Sequence, residues 1–540
     1  MHDVVIIGGG HNGLVCAAYL ADHGLKVSVL EARGSVGGAA VTEEFHPGFR
    51  NSVAAYTVSL LHPKIIGDLD LAGHGLRIVE RRMQNFLPLP DGRSLAVDGV
   101  RTRDEVAKFS ARDAGRLDAY HARLAVIAEI LRELALKTPP NVVHGRKLAA
   151  LGQMLEAARI GRRIGRLGLS GERDLLELFT GSAGDFLDRW FESDPIKAVF
   201  GFDAVVGHYA SPYAAGSAYV LLHHAFGEVN GQRGRWGHAI GGMGSITQAM
   251  ARAATARGVE IRTDCPVRDV IVEQGRAAGV NPESGPPIAA RAVVAAVNPK
   301  LLFTRMVDPS SLPGDFRERI GAYRMGSGTF RMNVALSELP DFTCRPGREV
   351  ADHHTAGIII APSLAYMERA WCDARARGWS REPVIEMLIP STLDDSLAPP
   401  GAHVASLFCQ HVAPDLPGGA SWDDHKEEVA DLMIATVDTY APNFRRSLVA
   451  RQVLSPLDLE RTFGLTGGDI FHGALDLGQL YSARPVLGHA DYRTPVAGLY
   501  MCSAGTHPGG GVTGAPGHNA AREILGDFKR RHVPVRPPAP

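Results

Sequence analysis

The sequence predicts an α/β fold, α+β taken over the whole chain: a nucleotide-binding unit of parallel strands and helices, and a discontinuous second unit built on an antiparallel sheet plus helices. Three observations carry this. A short apolar strand runs into Gly8-Gly9-Gly10, then a helix, then a second strand, which is one βαβ unit. Near the other end a second strand meets a second glycine-rich turn and a second helix. Between them, after Thr329, patches of alternating apolarity read as antiparallel strands.

In chain order, residues 4–7 form the first strand, 12–23 the helix and 26–30 the second strand. From 104 to about 136, Val106, Phe109, Leu117, Tyr120, Leu124, Ile127, Ile130 and Leu131 recur at helical spacing, which predicts one long or broken amphipathic helix outside the nucleotide fold. Residues 145–168 are helical in pattern and carry Arg146, Lys147, Arg159, Arg162, Arg163 and Arg166. They read as a solvated face, or else as a basic helix touching a membrane surface or acting as a lid. The glycine-rich segment 237–244 introduces a helix (245–257), a strand (260–263) and a hairpin reaching 297. The alternating patches are Phe330, Met332, Val334 and Leu336, then 358–361, 384–389 and 404–409. Expected boundaries are 1–80 with 230–300 and 465–530 for the nucleotide unit, 81–229 with 301–464 for a substrate-binding and helical lid unit, and 531–540 for a basic, Pro-rich, disordered tail.

A chain of 540 residues is too long for one core and can bury a large ligand. Apolar residues make up 45% and charged residues 21%, which excludes wholesale disorder. With 57 basic against 58 acidic residues the net charge is −1, so no global field draws the chain to nucleic acid. The six cysteines (Cys16, Cys265, Cys344, Cys372, Cys409, Cys502) are scattered, with no CxxC pair for a dithiol relay or zinc, and no metal is expected. That usage fits a reducing compartment. A strand is entered by Asp3, so no secretory leader is expected, and no apolar run reaches the roughly eighteen residues of a spanning helix. Any membrane contact would be peripheral.

Gly8, Gly10 and Gly13 make G-x-G-x-x-G in the strand–turn–helix context that gives the pattern meaning: a tight turn at Gly8, close backbone approach to a pyrophosphate at Gly10, and close helix–strand packing at Gly13. The helix N-terminus beyond, through Asn12, offers unpaired N–H groups to phosphate. Glu31 ends the second strand, where a carboxylate accepts both ribose hydroxyls and would repel a 2′-phosphate. Ala32, Arg33, Gly37, Gly38 and Ala39 follow. At the far end, 498–505 is a strand closing on Gly505, continued by Thr506-His507-Pro508-Gly509-Gly510-Gly511-Val512-Thr513-Gly514 and a helix over 516–530, a second cradle of outward N–H groups.

With these residues in hand, the chain resembles the FAD flavoproteins of the glutathione-reductase-like second group, and within them the phytoene desaturase and carotenoid oxidoreductase type. Residues 5–20 and 504–510 are similar to the branch holding desaturase-like β-carotene ketolases and the pyridine nucleotide-disulphide oxidoreductase domain-containing proteins. Segments 455–461 and 467–473 and the pair Arg484-Pro485 lie nearer the latter. The resemblance implies a Rossmann-like FAD-binding domain. FAD would lie along Arg33, Gly37 and Gly38, the 505–513 turn would cover its ribityl chain, and Val267, beyond Gly241-Gly242-Met243-Gly244-Ser245, would either give its backbone to the adenine or serve only as core. It implies hydride transfer from an activated C–H to flavin N5, on an apolar isoprenoid, carotenoid-like or lipid substrate. An amine-oxidase-type enzyme with a polar, aromatic-flanked pocket is the alternative, and a low-turnover FAD-bearing interaction protein is a third reading.

His11, His507 and His518 fall in the flavin-adjacent loops, and Asp469 and His472 lie just before the C-terminal one. His11, His507 and His472 are the acid/base candidates, with backbone or flavin hydrogen bonding as the plainer role. Trp236, His238, Tyr481 and Arg484 adjoin glycine-rich segments and read equally as scaffold. With one complete nucleotide fingerprint no NAD(P)H domain is expected, so the electron acceptor would be a quinone, oxygen or a protein. The expected setting is cytoplasmic, with membrane association open, or the mitochondrial matrix if the source is eukaryotic.

Overall fold

The computed structural model describes residues 1–141, 158–159, 161–162 and 164–530. Most of the basic stretch at 145–168 and all of the tail at 531–540 lie outside the described residues.

Strand His2–Ile7 sits at the middle of a seven-stranded sheet. It pairs in parallel with Val27–Leu30 on one side and Ile288–Ala295 on the other. Glu260–Arg262 extends the sheet beyond Val27–Leu30, and Leu499–Met501 pairs in parallel with Ile288–Ala295. Val267–Glu273 and Arg276–Pro282 continue it antiparallel. The beginning, middle and end of the chain therefore share one sheet. Val4 and Ile6 pack with Leu14, Val15, Ile246 and Ala520, whereas Val5 and Ile7 pack with Val270, Val280, Leu302 and Phe316. Alternate side chains of a strand point to opposite faces, and here both faces are covered, which explains the unbroken apolar run. Each such buried aliphatic side chain contributes about 1.5–3 kcal/mol relative to exposure.

The second sheet also has seven strands, in the order Leu448–Leu454, Phe330–Leu336, His403–Val412, Trp379–Leu388, Gly357–Ile360, Asn85–Pro88, Ser94–Val97. All its pairs are antiparallel except Gly357–Ile360 with Asn85–Pro88. Four of these strands are the alternating patches of the sequence. Asn85–Pro88 and Ser94–Val97 are four residues each, too short for a period to register, and Leu448–Leu454 carries half-buried Gln452 and Arg451. Phe330, Met332, Val334 and Leu336 face Val429, Met433 and Val437 of helix Trp422–Tyr440. The alternate residues Arg331 and Asn333 are not solvated: both are 0% exposed, because this face lies against the first unit. Asn51 Nδ2 donates to Asn333 Oδ1 at 3.1 Å and Asn333 Nδ2 to Val53 O at 3.3 Å.

The stretch from 104 to 136 is a broken helix, Thr102–Ala107 then Ala111–Ala135. Ser110 restarts it as an N-cap, accepting from Asp113 N at 3.1 Å. The far end of this helix docks on the C-terminal helix Ala515–Arg530. The carbonyls at its end, of Leu134, Ala135 and Leu136, accept from His507 Nε2 (2.9 Å), Asn519 Nδ2 (2.9 Å) and Arg522 Nη1 (3.0 Å). No helix among the described residues is long and apolar enough to cross a membrane.

Helices His11–Asp22 and Ala515–Arg530 meet at their first turns. A Cβ placed on Gly517 would stand 2.2 Å from Asn12 O, so only glycine permits this approach. Tyr19 meets His518 edge-on at 5.0 Å, and the free thiols of Cys16 and Cys502 adjoin, a proximity that spacing could not show. We therefore expect Gly517→Ala to lower stability by about 1–3 kcal/mol through overpacking. Gly526→Ala in the same helix, where a Cβ would meet only the end of Arg530, should be neutral or raise stability by up to about 1 kcal/mol. Urea unfolding of both variants checks this; equal effects would contradict it.

Candidate functional site

The first glycine turn is built as its spacing requires. Gly8 has φ +96°, closed to most side chains, and donates its N–H to Leu30 O at 2.8 Å. A Cβ on Gly13 would stand 2.3 Å from Gly8 O and 3.2 Å from Ala296 Cβ, so this glycine lets helix and strands close. A Cβ on Gly10 would meet nothing within 4 Å: open space lies in front of it. Gly37, at φ +135°, donates to Gly9 O at 2.9 Å, and a Cβ on Gly38 would lie 3.4 Å from Gly10 Cα. The doublet thus crosses directly over the first turn, and Ala39 O accepts from Ala55 N at 2.9 Å.

Glu31 is buried at the strand end. Its Oε2 accepts from Gly9 N at 2.7 Å and its Oε1 from Arg33 N at 2.9 Å, leaving each oxygen a further acceptor position. Ala32 lies between them. The Arg33 guanidinium bonds Glu43, lies 4.8 Å from the Phe463 ring centroid, and keeps Nη1 buried without a partner. Val267 begins a strand just past Cys265, whose N–H donates to Glu31 O at 2.9 Å, which puts the valine beside the Glu31 end of the cradle. Helix Gly244–Ala256 clamps the arm that follows the doublet: Thr247 Oγ1 donates to Ala40 O at 2.9 Å and Gly244 N to Thr42 Oγ1 at 2.9 Å.

The second turn closes against the first. A Cβ on Gly514 would lie 3.3 Å from Val15 Cγ2, and His62 N donates to Thr513 O at 3.2 Å. Gly505 abuts Pro299, and Thr506 N donates to Ser503 O at 3.0 Å. Val512 sits at φ +57°, a conformation that costs a β-branched residue of order 1–3 kcal/mol and is found where function over-determines the backbone. Gly510 and Gly511 are flanked by Phe471 and Leu60, with His223 alongside Gly511.

The candidate acid/base histidines separate. His507 Nε2 donates to Leu134 O and its ring meets Tyr481 edge-on at 5.1 Å; burial pushes its pKa down to about 4. His11 is pushed down to about 4 by burial, and His472 to about 3 by burial and then by His11 and Arg484. All three are neutral at pH 7. His472 stands at φ +57° with Nδ1 unpartnered beside His11, whereas His518 belongs to the helix contact. Arg484 is wholly buried and donates to five backbone carbonyls, of Phe471, Gly473, Ala474, Gln479 and Ala504, stitching the segment before the second turn to its root. Asp469, raised by burial, accepts from Gly326 N and Phe471 N, both at 2.8 Å. His238 bonds Asp394 at 3.1 Å and Trp236 stacks on His224 at 6.2 Å.

Sequence reading missed a polar group on the second sheet: Tyr56 OH donates to Glu386 Oε2 at 2.6 Å, with Arg81, Arg331 and Asp203 close by. The signal available was Arg331 and Asn333 alternating with apolar residues, which reads as ordinary solvation unless both faces are known to be covered. Two clefts of about 260 and 700 Å³ open elsewhere, beside Glu133 and Lys137, and reach neither glycine turn.

The donor set fits FAD. Open space faces Gly10, an unpartnered buried guanidinium nitrogen lies at Arg33, a carboxylate with spare acceptors ends the second strand, and two helix N-termini converge. The family model of flavin-containing amine oxidoreductases matches residues 13–329. The chain is 41% identical to pyridine nucleotide-disulfide oxidoreductase domain-containing protein 2 of Rattus norvegicus, over 98% of this chain and 94% of that protein. It is 24% identical to the lycopene-forming phytoene desaturase of Pseudescherichia vulneris, over 95% and 96%. A solved putrescine oxidase variant shares the fold, with a TM-score of 0.61 and 17% identity over 98% of this chain and 99% of that one.

Two variants separate folding from cofactor holding. Gly10→Ala should keep the wild-type unfolding midpoint and lose at least about tenfold in FAD affinity, roughly 1.4 kcal/mol. Gly13→Ala should lower the midpoint itself. Isothermal titration with FAD and urea unfolding check both; unchanged FAD affinity in Gly10→Ala would remove Gly10 from the cradle.

Proposed function

The chain belongs to the flavin-containing amine oxidoreductase family, and from that premise we propose that this FAD-dependent oxidoreductase dehydrogenates a largely apolar substrate of isoprenoid, carotenoid-like or lipid character. The observation that carries the reading is the meeting of the Gly8–Gly13 and Gly505–Gly514 turns, with open space before Gly10 and with His11, His472 and His507 all neutral at pH 7.

When bound, FAD supplies the redox chemistry by accepting a hydride from a substrate C–H. The chain's own residues bind and orient. Glu31 and Val267 would hold the adenosine end; Gly8, Gly10, Asn12, Gly13, Ala32 and Arg33 would hold the pyrophosphate; Gly37, Gly38, Ala39, Gly505, Thr506, Val512 and Thr513 would hold the rest. Leu60 and Phe471 flank the Gly510–Gly511 turn and belong to the same apolar cluster as Leu87, Ile359, Val384 and Phe408, which excludes water. His11, His472 and His507, neutral at pH 7, serve as hydrogen-bonding groups. Only one complete nucleotide fingerprint is present in the sequence, so the reading takes an external acceptor: a quinone, oxygen or a protein.

The resemblance to a phytoene desaturase supports the apolar substrate. One observation favours the amine-oxidase alternative, the polar Tyr56–Glu386 pair flanked by Phe408 and Trp236. Anaerobic titration of the FAD-loaded protein decides between them. Isoprenoid or lipid pools should bleach the flavin absorption while primary amines leave it intact; bleaching by amines alone would contradict the proposal.

A further inference from the structure

The face of the second sheet that turns from helix Trp422–Tyr440 toward the cofactor unit carries an ionic group that the chain does not balance. Arg331 is 0% exposed. Its Nη2 donates to Ser406 Oγ at 2.5 Å, but Nε and Nη1 have no hydrogen-bond partner, and among the described residues no carboxylate pairs with it. The Tyr56 ring covers the guanidinium at 4.4 Å, and Phe408 lies 5.7 Å away, stacked on Tyr56. Glu386, which accepts from Tyr56 OH, stands 3.9 Å from Arg81 Nη1, and Arg81 lies over Trp236. Asp203 completes the group; burial first and then Glu386 push its carboxyl up to about 8, so it is protonated at pH 7. Two guanidinium groups therefore meet the one carboxylate of Glu386, beside an Asp203 carboxyl that burial holds protonated. A buried cation is ordinarily paired, and three of five N–H donors unpaired is a strong departure from that rule.

The group also lies on the way to the cofactor. Tyr56 follows Ala55, which bonds Ala39 of the cofactor arm, and precedes Leu60, which abuts Gly511 of the C-terminal turn. Tyr56 and Trp236 are partly exposed, so open space lies on their side.

We propose that this cluster anchors a carboxylate at one end of the otherwise apolar substrate, with Arg331 as the specificity-determining residue. The Tyr56 ring turns off the guanidinium to admit it, and the carboxylate takes the unpartnered N–H groups, balancing the single excess charge. A monoanion matches that excess; a cation adds to it, and a phosphate dianion exceeds it. The inference rests on the proposed function, since it names the substrate class of the same site.

The test uses the FAD-loaded full chain at pH 7 in equilibrium dialysis with saturated carboxylates from octanoate to hexadecanoate, their methyl esters, the matched alkylamines and the matched alkyl phosphates. We expect at least one carboxylate to bind tenfold or more tighter than its ester, amine and phosphate. Arg331→Met should bring that carboxylate down to the level of its ester while leaving FAD affinity within twofold, and Arg331→Lys should keep part of the preference. Equal binding of acid and ester, a preference for amine or phosphate, an unchanged preference in Arg331→Met, or a loss of FAD affinity in that variant would each overturn the anchor. Should Arg331→Met fail to fold, the wild-type preference decides alone. A protein that takes up no FAD would sink the proposed function instead, so the two failures are distinct.

Discussion

Helices His11–Asp22 and Ala515–Arg530 touch backbone to backbone where Asn12 O faces Gly517, and the rest of the architecture is arranged around that contact. Each helix begins at a glycine-rich turn, and the first turn of a helix presents N–H groups that no carbonyl of its own satisfies. Bringing two such ends together makes one electropositive hollow from opposite ends of the sequence. The parallel sheet enforces it, because Leu499–Met501 and His2–Ile7 flank the same strand, Ile288–Ala295, and so deliver both turns to the same edge.

Around this hollow the molecule puts its polar groups to work in different ways. His507 looks catalytic by type and position and Arg484 reads equally as scaffold, and both are consumed in holding backbone carbonyls. Arg33 and Arg331 each keep buried guanidinium nitrogens without partners. Arg33 stands by the first turn, with Glu43 and Phe463 fixing its orientation, so its free donor suits the dinucleotide. Arg331 stands one layer away on the sheet that closes the other side, with an aromatic lid over it. An unspent donor, rather than residue type, is what sets Arg33 and Arg331 apart from Arg484.

Much of this was legible in the sequence, and for physical reasons. Gly8, Gly10 and Gly13 each answer a separate steric demand, so three letters in a strand–helix context fixed the local geometry. The second cradle was readable for the same cause. Periodicity left the stretch from 104 to 136 as long or broken, and the structure breaks it at the Ser110 cap. What stayed hidden depended on contacts across the fold. Burial of Arg331 and Asn333 follows from a layer that alternation cannot reveal. The meeting of Cys16 with Cys502, and of His507 with Leu134, joins residues far apart in the chain. The histidines at 11, 472 and 507 looked suited to proton transfer because an ordinary imidazole titrates near neutral, and only their burial shows that they do not.

The shared cradle is tested most directly by hydrogen–deuterium exchange of the apo-protein with and without FAD. Added FAD should slow exchange together in peptides covering residues 8–13 and 505–514, with the same concentration dependence. Protection confined to the N-terminal turn, with the C-terminal turn exchanging as in the apo-protein, would contradict the account.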